Sequence, residues 1–395
     1  MFEAARISTH RILSYLILVL AIVLVSSCTP DGAWDMLRSA VAEPEWNGTV
    51  EITIDTGGVD GYLFDVPVPV RLNPDRIRYD LVNANGTDIA FYDAPYELGS
   101  TPLDHERSLW NPEGESVFWV RLPVVSSQSP STIYLHAGSK SVPVEERPAE
   151  VWRNGYVAVL HFDDPDDPWK DSTRFANNAL ANPPGHTDPL IIAGAVGNGV
   201  AADDTTDAVV IPNSPTIDTM SRFTWISWLR VDAGIPTRRV FSKGSRYLSV
   251  RESSSAHRFQ ARLNHESDPP LPAPGLQDDV FGEWTAPAIT EEWFHLALSW
   301  TGAATPSSFD LRIDGSPASK FNSGPGASYR DGEPVSDAGF GFTIGNDAGA
   351  GATGALPGVV DEVRLAAVER SDAWIGFQIA LMNESIVDYG SFTPN

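Results

Sequence analysis

Five aspartates crowd into one short acidic stretch, Asp163, Asp164, Asp166, Asp167 and Asp171. Carboxylate oxygens on a loop are the hard ligands that Ca²⁺ takes. The spacing is not that of an EF-hand, whose glycine is also missing. Asp361 adds a second observation. In GVVDEVRL it shares a strand face with Val359, Val363 and Leu365, so its carboxylate points where apolar side chains point. A charge in that register needs a metal, an arginine or a run of backbone N–H groups. Asp163, Asp164, Asp171 and Asp361 are therefore the candidate ligands of a structural Ca²⁺. The alternative is a solvated acidic loop beside a hydrogen-bonded Asp361.

Catalytic patterns are scarce. Glycoside hydrolysis needs two carboxylates facing each other across the scissile bond, and no Glu-x-Asp-x-Glu strand occurs. The nearest cluster, Asp278, Asp279 and Glu283, falls in what reads as a Pro-rich loop. Gly-x-Ser-x-Gly, Walker and His-Glu-x-x-His motifs are missing, and the eight histidines lack zinc spacing. The sequence thus points away from an enzyme. Of the 12 tryptophans, Trp119, Trp225, Trp228, Trp293 and Trp300 fall in strand-like runs and read as core. Trp110, Trp169 and Trp284 read as loop residues, the candidate platforms for a sugar ring, with burial under a neighbouring loop as the other role open to them.

At 395 residues the chain has room for two or three cores. Its net charge of −25 disfavours nucleic acid and anionic bilayers as partners. The 32 glycines and 31 prolines suit many short strands joined by turns. The single cysteine, Cys28, follows Arg6, His10, Arg11 and an apolar run from Ile12 to Val25. That order reads as an export signal too short to span a membrane comfortably. The tail Val-Ser-Ser-Cys resembles the lipobox of bacterial lipoproteins, which implies cleavage before Cys28, lipid on its thiol and a place in the cell envelope.

Two β-rich segments follow a tether over residues 28–45. In the first, residues 46–152, Val50, Ile52 and Ile54 alternate with polar residues. Val66, Val68 and Val70 alternate with Pro67, Pro69 and Arg71, a proline pattern that belongs at a sheet edge. The succession GTVEITID, VPVPVRL, NGTDIAFYD, ESVFWVRLP, STIYLHAG and VWRNGYVAVLHFDD resembles a bacterial domain of unknown function, DUF 2341. That family carries no established chemistry. Some of its relatives occur beside TolQ/ExbB-type envelope proteins.

The strand YVAVLHFDD, apolar on both faces, opens the second segment, residues 153–390. Its order of HFDD, DSTRFANNA, FTWISWLRV, WFHLALSW, DLRIDG, FTIGN and VDEVRL resembles the laminin-G-like group of concanavalin A-like lectin/glucanase jelly rolls. Relatives of that group often bind structural Ca²⁺ near the first and last strands, which here implies the Asp163–Asp171 loop and Asp361. ERSDAWIGFQIALMN reads as a terminal helix, and the Pro-rich run from Ser267 to Val280 as an insertion. The expectation is an all-β protein, a small antiparallel domain followed by a jelly-roll sandwich, able to fold as two units with a seam near Glu146 to Gly155. The expected role is non-enzymatic binding of glycan or protein at the envelope. A structural part in an envelope complex and a carbohydrate-active hydrolase are the alternatives.

Overall fold

The computed structural model describes residues 46–395 apart from 97–99, 140–143, 181–182, 203, 245, 254–255, 266–277, 288, 304, 326–333 and 348–353. Cys28, the signal and tether (residues 1–45) and most of the Pro-rich insertion lie outside the described residues. No described helix is long and apolar enough to cross a membrane.

The chain is built almost wholly from antiparallel strands, arranged as two sandwiches. In the first, a sheet of Gly48–Ile54, Ser131–Ala137 and Ile89–Tyr92 faces a three-stranded sheet of Tyr62–Leu72, Ser116–Ser126 and His105–Leu109. Alternation does the sorting, for Val50, Ile52 and Ile54 are buried while Glu51 is exposed. The Tyr62–Leu72 strand is an edge, as its prolines require. Its second face is nonetheless not solvated. Pro67 and Pro69 are buried, and the Pro67 carbonyl accepts a hydrogen bond from Gln378 Nε2 at 3.0 Å.

The second sandwich packs a seven-stranded sheet on an eight-stranded one. Phe223–Val231 lies near the centre of the latter, between Trp293–Trp300 and Gly358–Ala366. Tyr156–Leu160 pairs with Gly358–Ala366 and is buried along its whole length. Val157, Ala158 and Leu160 enter the sandwich core, whereas Tyr156 and Val159 face Trp119, Val151 and Trp152 of the first sandwich. That is why both of its faces had to be apolar. Phe309–Ile313 ends at Asp314-Gly315, both at positive φ (48° and 75°), the two-residue hairpin turn that this dipeptide favours.

The helix Asp372–Met382 begins where Ser371 accepts a hydrogen bond from Trp374 N–H. Most of its length is apolar and buried, because it has a core on each side. Trp374, Phe377 and Leu381 join the first sandwich, while Ile375 meets Ile226 and Ala297 of the second. The chain then returns to its start. Val387–Tyr389 and Thr393–Pro394 pair with Gly48–Ile54. The sequence had assigned this terminal stretch to the second segment.

Candidate functional site

The sequence-derived acidic residues lie at the seam between the sandwiches, where their geometry serves the backbone. Asp171 accepts hydrogen bonds from the N–H groups of Val159 (2.8 Å), Thr173 (2.9 Å) and Asn177 (2.8 Å) and from Thr173 Oγ1 (2.6 Å). Asp361 Oδ2 takes the N–H groups of Ala195 (2.8 Å) and Val196 (2.9 Å), and Oδ1 that of Glu362 (2.6 Å). Asp164 caps Asp166 and Asp167. Asp163 Oδ1 receives Asn198 N–H at 2.7 Å, while its buried Oδ2 has no hydrogen-bond partner among the described residues. Asp163 and Asp361 thus bind one turn, residues 194–198. Gly197 (φ 67°) must be glycine there, since a Cβ would strike the Asp163 carboxylate.

Among the described residues no group of three or more His, Cys, Asp or Glu side chains is placed to hold a metal ion. The backbone N–H run meets the demand that the core-facing Asp361 raises. Metal-stripped protein is accordingly expected to melt at the same temperature in chelator and in millimolar Ca²⁺. A rise of several degrees with Ca²⁺ but not Mg²⁺ would show instead that the ion binds. Asp171→Ala should be destabilising in either buffer, by about 1–3 kcal/mol for each buried donor left unpaired.

Burial, then the nearby Glu362 carboxylate, push the Asp163 carboxyl up to about 7. Beside it a chain of buried polar groups crosses the seam. Ser172 Oγ donates to Glu106 Oε1 (2.5 Å) and Trp152 Nε1 to Glu106 Oε2 (2.6 Å). His161 Nε2 lies 3.6 Å from Glu106 and its Nδ1 2.8 Å from Glu362, which in turn holds Arg364 at 2.8 Å. The Arg364 guanidinium stacks over Trp119 at 4.3 Å. Above these groups opens a cleft of ≈ 590 Å³ lined in part by Glu106, Asp163, Asp164 and Trp110.

None of the three tryptophans stands free. Trp284 lies in the strand Asp278–Pro287, not in a loop, and is 1% exposed with its ring in the sandwich core, so it cannot serve as a platform. Trp169 packs on the same core, edge-on to Phe162. Trp110 is half-buried over Gly86, edge-on to Tyr79, with its indole N–H on the Ala84 carbonyl.

The uncovered surface is elsewhere. The outer face of the eight-stranded sheet is closed by the first sandwich and the helix. In the seven-stranded sheet, Leu248, Val250, Phe259, Ala261, Leu263, Val280 and Trp284 point inward. Period two then sends Tyr247, Ser249 and Arg251, then Arg258, Gln260 and Arg262, then Phe281 and Glu283, to the outer side. Gln260 bridges two neighbours there, donating to Glu283 (2.9 Å) and accepting from the Tyr247 hydroxyl (3.2 Å). The next strand, Ser319–Pro325, bulges opposite Glu283 and Trp284 and presents Phe321, 49% exposed, with Arg258 5.1 Å from its ring centre. Arg239 lies 3.5 Å over the Tyr247 ring. A hollow of ≈ 210 Å³ is lined by Ser249, Arg251, Arg258, Gln260, Glu283 and Phe321 among others. The sequence does not single these residues out, because Glu283 adjoins a proline-rich run that reads as loop and the alternation of 246–253 and 256–265 does not say which face is outward until the strands pair.

Residues 203–376 match the family model Laminin_G_3, described as the concanavalin A-like lectin/glucanases superfamily. No curated protein matches the chain. Among solved structures, the binding domain of Paraclostridial Mosquitocidal Protein 1 resembles it with 11% identity and a TM-score of 0.40, over 58% of this chain and 52% of that one. A Trypanosoma rangeli sialidase gives 14% and 0.36, over 75% and 43%. A botulinum neurotoxin type C structure, titled for entry through two ganglioside molecules, gives 9% and 0.37, over 58% and 52%. The chain spans about half the length of these proteins or less. Likeness at this level carries no argument about site or ligand.

Proposed function

We propose that the protein is a non-enzymatic carbohydrate-binding protein whose recognition surface is the outer face of its seven-stranded sheet. One observation carries this. In a concanavalin A-like domain, a sheet face over which no described element packs sets Tyr247 and Phe321 around a Gln260–Glu283 pair. Aromatic rings supply the flat apolar contact a pyranose needs, and the amide and carboxylate supply directional bonds to its hydroxyls. Glycan-array binding by the soluble protein tests it. Phe321→Ala and Tyr247→Ala are expected to weaken the best ligand at least roughly tenfold, the loss of about 1.4 kcal/mol, without moving the melting temperature. An empty array, or variants that bind as the parent does, overturns the proposal.

The seam cleft supports a hydrolase less well. Asp163 has the raised carboxyl of a general acid, but both oxygens of Glu106 are engaged by Ser172 and Trp152. No reducing sugar is expected to be released from any bound polysaccharide. Display on the envelope through lipid at Cys28, and kinship of residues 46–152 with DUF 2341, complete the proposal and rest on the sequence alone. Cys28→Ala should leave the protein unprocessed or free it from the membrane fraction, and normal processing with retention would sink the anchor.

A further inference from the structure

The recognition face carries the wrong charge for the protein it belongs to. The chain has 27 Lys+Arg against 52 Asp+Glu, yet Arg239, Arg251, Arg258 and Arg262 all point outward from this one sheet, where Glu283 is the facing carboxylate in the hollow. Arg251 and Arg258 are direct cross-strand partners. Like charges placed opposite each other destabilise a strand pair. Among the described residues neither guanidinium has an ion-pair partner, although Arg239 on the same sheet has Asp347 at 3.5 Å. Arg258 instead rests on the Phe321 ring, and Arg251 is exposed. Both line the hollow with Ser249, Gln260 and Glu283.

We infer that the hollow takes an acidic sugar, its carboxylate or sulfate seated between Arg251 and Arg258 while the ring lies along Phe321. An anion there removes the repulsion between the two guanidiniums and receives charge-assisted bonds from both, in the forked geometry that arginine offers and lysine does not. Glu283 sits on the other side of the hollow with one oxygen already held by Gln260. It is placed to accept from a sugar hydroxyl. The inference rests on the sheet face being the carbohydrate surface.

Calorimetry with the soluble chain separates the possibilities, with oligogalacturonate, a sulfated chondroitin oligosaccharide and a neutral cello-oligosaccharide of equal length as probes. Oligogalacturonate or the sulfated probe is expected to bind roughly 10- to 100-fold more tightly than the neutral one, the value of one or two charge-assisted bonds. Which of the two prevails identifies the acidic group. Arg251→Gln and Arg258→Gln should each remove most of that preference without lowering the melting temperature. Neutral binding as tight as acidic, with both variants indifferent, overturns the inference and leaves the carbohydrate proposal standing. Equal affinity for polyglutamate also overturns it, since the face would then be reading charge alone. Binding of none of the sugars overturns both.

Discussion

Residues 153–395 expressed alone are expected to give no cooperative melt, and to regain one when residues 46–152 are supplied. The sequence suggests the opposite, because EERPAEVWRNG reads as a polar seam between two β patterns. The structure puts a shared core there. Trp374, Phe377 and Leu381 leave the second segment to enter the first sandwich, and Tyr156, Val159 and Trp228 pack against Trp119 and Trp152. Burying a large apolar side chain contributes about 1.5–3 kcal/mol. The three helix residues alone therefore carry roughly 5–9 kcal/mol, comparable to the whole stability of a typical domain, about 5–15 kcal/mol. The fragment also loses the strand partner of Val387–Tyr389 and the carbonyl that Gln378 reaches at Pro67. Equilibrium unfolding followed by near-UV dichroism decides the matter. A single sharp transition in the fragment, with the tryptophan signal of the full chain, would show the two sandwiches to be independent.

What the sequence made legible was local. Alternation located Gly48–Ile54, Phe223–Val231 and Trp293–Trp300, Asp-Gly located a hairpin, and the run ERSDAWIGFQIALMN located the helix. The pairing of Ile52 with Tyr389 was not legible, since nothing near either residue encodes a partner more than three hundred positions away. The same holds for the sites. Asp361 was legible as a carboxylate in core register, but backbone N–H groups at Ala195 and Val196 have no side-chain signature, so the sequence could not single them out from a metal or an arginine as its partner. Trp284 was misplaced for a related reason. Its strand follows a proline-rich run, and the composition of that neighbour outweighed the alternation of Val280, Gly282, Trp284 and Ala286, all buried. Once that strand is placed, Glu283 must face outward, and the recognition face follows from period two.

Glu362→Ala should cost about 3–5 kcal/mol, because it strips the partner from two buried cations at once. Arg364 and His161 are both almost fully buried, and Glu362 holds each at 2.8 Å. Burial by itself would pull the His161 imidazolium down. The carboxylates of Glu362 and Glu106 outweigh that and raise it from 6.5 to about 10. A histidine raised on folding binds its proton more tightly in the native state. Its contribution is therefore complete below the unfolded value near 6.5 and is lost as pH climbs through the folded value near 10. The parent should lose stability steadily between pH 7 and 10, before lysine titration intervenes. Glu362→Gln keeps the shape and a hydrogen bond to each partner but drops the charge that holds the proton. It should be less stable than the parent at pH 7 and nearly flat in pH over the same interval. Urea unfolding at pH 7, 8.5 and 10 reads both quantities, and a Glu362→Gln variant with the parent's alkaline slope would mean that His161 is neutral in the fold. The seam would then hold no buried ion pair between His161 and Glu106, and only packing and the hydrogen bonds of Ser172 and Gln378 would join the two sandwiches there.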